Sequence, residues 1–363
     1  MTHCRCTTAA ARATILDVVS SMVRSARSLR PRRLAAPVLV LAVATVWIVW
    51  GATFLGIRVM VETIPPLLGS GVRFVLGGVL LAALVLRLRG RRAFALGAEE
   101  WRGSAAMGLL LVAGGVGLVA LAEHRGLPSS LAALIASSEA VMVLLLRIVA
   151  GRERVSPATA FGVGVGAVGA VLLLSPGSRP EGVTMLAALL GLAGSITWAT
   201  GTYVGARIRT APDLLANVAI QMLAGGVVLL VAGAAAGEHV TVSAVSDRSL
   251  VALVGLTIAS VAVYAAYAWL LRNASLSLVT TQSYANPVVA VVLGVLVLGE
   301  TLGTLTAVGM AITLLAVVLV LRADGRPGPG TPVADEPAEG AEGVRRDRRD
   351  SPTLEFPRPS AAR

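Results

Sequence analysis

The chain has 363 residues, of which 56% are hydrophobic and only 14% charged. A soluble domain carries about 25% charged residues, and here the apolar residues come in runs of around 20, so a soluble fold is excluded and an all-α integral membrane protein is expected. The net charge of +11 resides wholly in arginine, much of it in tails and short loops, where basic residues set membrane orientation rather than bind nucleic acid.

In chain order, residues 1–35 form an Arg-rich tail without a hydrophobic span. Its Cys4 and Cys6 have no His or third Cys at ligand spacing, so no metal or other cofactor is expected. The apolar run after Arg33 is too long for the core of a cleaved signal peptide, and Met22, ahead of "VRSARSLRPRR", is a second candidate start. Ten spans follow, at 37–60, 65–86, 104–122, 129–149, 157–174, 183–206, 213–235, 250–271, 276–298 and 303–321. Residues 323–363 are rich in Pro, Gly, Glu and Arg, cannot bury a core and are expected to be disordered.

Arginine sets the orientation. With the N-terminus in the cytoplasm, the inner loops hold eleven arginines, among them Arg87, Arg89, Arg147, Arg207 and Arg272. The outer loops hold three, Arg125, Arg179 and Arg248. Both basic tails then also fall in the cytoplasm.

The two halves repeat at a nearly fixed offset. "TFLGIR" (53–58) matches "TYVGAR" (202–207), "RFVLGGVLL" (73–81) matches "QMLAGGVVLL" (221–230), and "SEAVMVLLL" in span four matches "ANPVVAVVL" in span nine. Five helices is an odd number, so residues 36–174 and 182–321 lie upside down to one another, as two inverted five-helix repeats. That is the layout of secondary transporters, with the substrate near the midplane.

Several motifs then fall in order: "WGATFLGIR" in span one, "P-P-L-L-x-x-x-V-R-F" leading into span two, and "A-E-H-x-x-L-P-S-S" before span four. "G-R-E-R-V-S-P" follows that span, and "S-Y-A-N-P-V-V-A-V-V-L-G" lies in span nine. On these, residues 36–321 resemble the EamA family of the drug/metabolite transporter superfamily. The resemblance implies a ten-helix inverted-repeat carrier of the inner membrane. It also implies export of amino acids or related small metabolites, through a cavity lined by helices one, three, four, six, eight and nine.

Polar residues stand out within these spans. Glu139 lies near the middle of span four, where an ionised carboxylate costs ~2.5–3.5 kcal/mol on insertion scales. Asn286 occupies the matching place in span nine and precedes Pro287, which frees a carbonyl at mid-membrane. Two readings stand for this pair: polar points of a substrate site, or hydrogen bonds to Ser137, Ser138 or Thr281 that only fix packing. Span four has Ala140 where the family often has proline, so span nine is the firmer candidate for a broken helix. Arg73, inside span two, either pairs with Glu139, attracts an anionic substrate group or snorkels outward, while Arg58 reads as an interfacial anchor. Thr53 and Thr202 match between the repeats and offer hydroxyls to a site, or bond back to their own helices.

The few aromatics gather on spans one, six, eight and nine. Trp50, Trp198, Tyr264, Tyr267 and Tyr284 are taken as candidate cavity walls for an amphipathic solute, against the alternative of an interfacial belt. Glu123 and His124, at the outer end of span three, are either a proton relay or a solvated loop pair. "GVGAVG" (164–169) matches a dinucleotide fingerprint but sits in an apolar span without a preceding strand, so it is read as a close-packing face.

The expectation is therefore a multi-pass exporter with a small-molecule substrate, with protons as a candidate coupling ion and a homodimer left open. A lipid-intermediate flippase on the same fold is the alternative. A membrane-embedded enzyme is disfavoured, because His3, His124 and His239 are the only histidines and no acidic pair shares a helix face.

Overall fold

The computed structural model describes residues 35–150, 157–174, 183–274, 282–300 and 303–324. The expectations for Cys4, Cys6, Met22 and the C-terminal tail lie outside the described residues. Among the described residues every regular element is helical. α1 (Ala35–Ala44) runs through a π-helical stretch (Thr45–Val49) into α2 (Trp50–Met60). α3 is Pro66–Arg89. α4 (Ala98–Met107) passes through a second π-helical stretch (Gly108–Val116) into α5 (Gly117–His124). α6 (Ser129–Ser137) and α7 (Glu139–Val149) follow, then α8 (Pro157–Leu174), α9 (Met185–Gly205) and α10 (Leu214–Ala235). α11 (Asp247–Asn273), α12 (Gln282–Leu298) and α13 (Thr304–Asp324) are the last of the described α-helices.

Six of these stretches are long and apolar enough to cross a membrane: Pro37–Met60, Pro66–Arg89, Ala98–His124, Met185–Gly205, Leu214–Ala235 and Asp247–Tyr267. At a rise of 1.5 Å per residue, α3 is roughly 36 Å long, enough for a hydrocarbon core of about 30 Å. The outer surface is apolar too. Leu76, Val79 and Leu80 on α3, Val231 on α10 and Leu296 on α12 are all half exposed or more. Helices that are apolar inside and out suit lipid rather than water.

Local chemistry sets the helix ends. Pro66 opens α3, where a missing N–H costs nothing, and Gly90 ends it at φ +73° after Arg87 and Arg89 in the last turn. Glu100 reaches back to the Gly97 amide at 2.8 Å and starts α4. The third span therefore begins at Ala98, six residues before the expected 104, because a polar first turn is invisible to an apolar count. Asp213 caps α10 by accepting from the Leu215 and Ala216 amides, and Ser246 caps α11.

The fourth span differs from expectation. It is interrupted at Ser138, between α6 and α7, although no proline is present. The Ser137 and Ser138 hydroxyls donate back to Leu134 O (2.7 Å) and Ile135 O (2.6 Å), which competes with the helix ladder at the turn where it breaks. Span nine, the firmer candidate, keeps Pro287 inside a continuous α12.

Helices pair across the two halves. α3 packs on α10, α8 on α13, α6 on α12, α2 on both α11 and α12, and α9 on both α5 and α7. Glycine permits the closest of these approaches. A Cβ on Gly51 of α2 would lie 2.9 Å from Asn286 O and 2.8 Å from Val289 Cβ of α12. In "GVGAVG", a Cβ on Gly169 would lie 3.0 Å from Thr313 N of α13, so that motif is a helix-packing face.

Polar contacts between the halves cluster at the two ends. At the Arg-rich end Asp213 pairs with Arg89, and Ser104 Oγ accepts from Ala211 N at 3.0 Å. At the opposite end Glu300 accepts from Ser129 N (2.7 Å), Ser129 Oγ (2.8 Å) and Ser130 N (3.1 Å) at the start of α6. There too Glu238 accepts from the Leu67 and Leu68 amides at the start of α3, and Ser249 Oγ donates to Val59 O at 2.8 Å. Carboxylates on helix N-termini satisfy amides that have no partner within the helix and oppose the positive end of its dipole.

Candidate functional site

A cavity of about 320 Å³ lies between the halves. It runs from Ile57, Val119 and Ala133, toward the Arg-poor end, to Gly205 and Leu214, where α9 stops and α10 starts. Its wall is mostly apolar, with a few inward polar groups, the composition of a small-molecule site.

Trp50, the first residue of α2, lines the cavity. The indole lies 6.0 Å from the Trp198 ring (α9) at 69°, 5.6 Å from Tyr264 and 5.5 Å from Tyr267 at 85°, the last two on α11. Edge-to-face pairs of this kind add about 0.5–1.5 kcal/mol each beyond buried area. The π-helical stretch just before Trp50 adds a residue to the turn and sets the direction in which α2 enters the cavity.

Glu139 begins α7 at the Ser138 break and faces the cavity. Its Oε1 accepts a hydrogen bond from Thr202 Oγ1 of α9 at 2.8 Å, and Trp198 of the same helix lines the cavity beside it. The partner therefore belongs to the other half, while Ser137 and Ser138 spend their hydroxyls on their own helix. Thr53, the counterpart of Thr202, lines the cavity but donates to Trp50 O at 2.6 Å.

Asn286 also lines the cavity, yet its amide meets Val46 O and Trp47 O at 3.1 Å. Both are acceptors, so the amide nitrogen is the atom that faces them. Asn286 thus meets carbonyls of the first π-helical stretch, rather than Ser137, Ser138 or Thr281, the partners weighed from the sequence.

Arg73 lies 4% exposed in α3, with its guanidinium 4.7 Å from the Phe74 ring centroid. Nε donates to Ser260 Oγ at 2.9 Å, whereas Nη1 is buried without a hydrogen-bond partner. Among the described residues no ion pair joins it to Glu139, and it does not snorkel outward. Arg58 donates from Nη1 to Glu123 O at 2.7 Å.

Glu123 contradicts one reading of its sequence. Its side chain is fully buried, so it is not half of a solvated loop pair, and only His124 is exposed.

Nine of the ten candidate residues, Glu139, Asn286, Trp50, Thr53, Trp198, Thr202, Tyr264, Tyr267 and Arg73, line this one cavity. The side chain of Tyr284 lies outside the described residues. Asn217, Gln221, Ser260 and Gln282 also line it and were not anticipated. The repeat held a signal for Gln221, which occupies the position matching Arg73 at an offset of 148. Among the described residues no group of His, Cys, Asp and Glu is arranged to hold a metal.

The EamA-like transporter family matches the chain twice, over residues 37–175 and 185–322. The chain is similar to a protein of Escherichia coli (strain K12) named "Uncharacterized inner membrane transporter YedA". The two are 38% identical over 283 residues, covering 77% of this chain and 89% of that protein. It is also similar to a "Probable amino-acid metabolite efflux pump" of the same organism, at 26% identity over 75% of this chain and 91% of the relative. The Salmonella typhimurium protein of that name is 25% identical over similar shares. A solved crystal structure superposes with a TM-score of 0.55 at 22% identity, covering 79% of this chain and 98% of the other, which speaks to fold alone.

Proposed function

Because the chain belongs to the EamA-like transporter family, and is a multi-pass inner membrane transporter rather than an enzyme, we propose that it exports amino acids or related amphipathic metabolites by alternating access. The single observation that carries this reading is the cavity between the halves. There one acidic group, Glu139, is held by a hydroxyl from the opposite half beside a wall of Trp and Tyr. A carboxyl at that depth suits the ammonium of an amino acid, or a proton exchanged for it, and the aromatic wall suits an apolar side chain.

Ten spans in two inverted repeats, residues 36–174 and 182–321, are part of the proposal. The double family match supports it. So does the packing, because exchanging each helix for its counterpart maps α2 on α12 to α9 on α7, and α2 on α11 to α9 on α5. With the arginine-rich loops and both termini in the cytoplasm, the cavity reaches the cytoplasmic end, while Glu238 and Glu300 hold the periplasmic end together. This conformation corresponds to the inward-facing state of the cycle.

The test is a metabolite screen comparing the medium of cells with and without the protein. Export of at least one amino acid or amphipathic metabolite is expected, and it should fall in the Trp50→Ala and Glu139→Gln variants. A panel in which no solute changes would contradict the reading.

A further inference from the structure

Matching polar groups of the two halves are engaged differently. Glu139 corresponds to Asn286 and Thr202 to Thr53 in the repeat, and all four line the cavity. Between α7 and α9 the pair is made, with Thr202 Oγ1 donating to Glu139 Oε1 at 2.8 Å. Between the corresponding helices, α12 and α2, it is not. Thr53 donates to Trp50 O of its own helix at 2.6 Å, and the Asn286 amide nitrogen faces Val46 O and Trp47 O at 3.1 Å.

The backbone carries the same asymmetry. Spans one and three of the first half contain the π-helical stretches Thr45–Val49 and Gly108–Val116, and span four breaks at Ser138. Their counterparts α9, α11 and α12 are continuous helices. The carbonyls that Asn286 meets belong to the first of those stretches, so this contact goes with the irregular form of span one. The unmade pair is within reach of small movements. Asn is one carbon shorter than Glu, but α2 has Gly51 where α9 has Thr200. A Cβ on Gly51 would lie 2.9 Å from Asn286 O, so α12 already sits closer to α2 than a side chain there would allow. Thr53 is two residues further along α2, about 3 Å of helix rise.

We propose that Asn286 and Thr53 hold the state open at the Arg-poor end, as Glu139 and Thr202 hold the state described above. On switching, the two halves exchange arrangements. Thr53 turns its hydroxyl from Trp50 O to Asn286 Oδ1, and Asn286 leaves Val46 and Trp47. Thr202 turns back to a carbonyl of its own helix and releases Glu139 to the cavity. Each threonine keeps one hydrogen bond in either arrangement, so the exchange leaves no hydroxyl unsatisfied. This rests on the inverted-repeat, alternating-access reading and adds the side chains that alternate.

Thiol labelling of the full chain in intact cells tests the exchange without any solute. The parent carries Val119→Cys, a cavity position 8% exposed toward the Arg-poor end, with Cys4 and Cys6 replaced by Ser. Loss of one hydrogen bond shifts a two-state population roughly two- to tenfold. Thr53→Val should therefore slow modification by a membrane-impermeant maleimide about two- to tenfold, and Thr202→Val should speed it by at least a similar factor. Thr53→Ser and Thr202→Ser keep the hydroxyl and should label like the parent. In an Asn286→Ala background, Thr53→Val should have no further effect. Loosened packing or poor folding would speed labelling in both valine variants. Shifts in the same direction, or an unchanged rate in one of the two, therefore overturn the proposal. Should Thr53→Val fail to reach the membrane, Thr53→Ala takes its place with the same expected slowing. A metabolite screen that finds no solute would count against the export reading alone, with the labelling rates still deciding the exchange.

Discussion

Glu300 offers a direct way to shift the protein between its two faces. Its carboxylate makes three hydrogen bonds, of 2.7, 2.8 and 3.1 Å, to the first two residues of α6, and so fastens the second half to the first at the Arg-poor end. A hydrogen bond to an ionised group contributes about 1.5–3 kcal/mol net, and the three are not additive, since water replaces part of what is lost. Taking one such bond as a lower bound, Glu300→Ala should raise the population open at that end at least roughly tenfold. Gly294→Ala should act the same way without removing the charge, because a Cβ there would crowd the Glu300 carboxylate out of its seat. The assay uses Ile57→Cys, a cavity position only 3% exposed near the closed end, with Cys4 and Cys6 replaced by Ser. Membrane-impermeant maleimide added to intact cells should modify the introduced thiol about tenfold faster in both variants than in the parent. Equal rates in all three would refute the account of Glu300 as the closing contact.

Other consequences follow from the same geometry. Asp213 both caps α10 and pairs with Arg89, so Asp213→Ala should lose about 0.5–2 kcal/mol of capping plus the pair. Asp213→Asn should lose only the pair, and the Tm order in detergent should be wild type, Asn, Ala. Gly51→Ala meets Asn286 O and Val289 Cβ at under 3 Å and should cost about 1–3 kcal/mol by overpacking. Thermal unfolding of the purified variant checks it, and an unchanged Tm would mean that α2 and α12 are not held this close.

Much of the site was legible because polar residues in apolar spans have few innocent explanations. Glu139, Arg73 and the Trp50–Trp198 pair were visible for that reason, and they meet in one cavity. Gln221 was written in the same repeat as Arg73 but carries no charge, so hydropathy did not set it apart. The break at Ser138 was illegible because proline was the expected cause, whereas here two adjacent serine hydroxyls bond back to their helix at the turn where it breaks. The burial of Glu123 was illegible because proximity to a span end suggests solvent, and burial there depends on neighbours distant in the chain. The Glu238 and Glu300 contacts were beyond reach for a similar reason, since each joins residues about 170 apart.

The central claim is that Glu139, held by Thr202 across the halves, is the polar point around which transport turns. Uptake of a solute identified by the metabolite screen into everted vesicles, across a range of pH, tests this most directly. Glu139→Gln keeps the shape and an acceptor for Thr202 but removes the ionisable group, so transport should fall at least tenfold and its pH dependence should change. Wild-type uptake with an unaltered pH profile in Glu139→Gln would contradict the account.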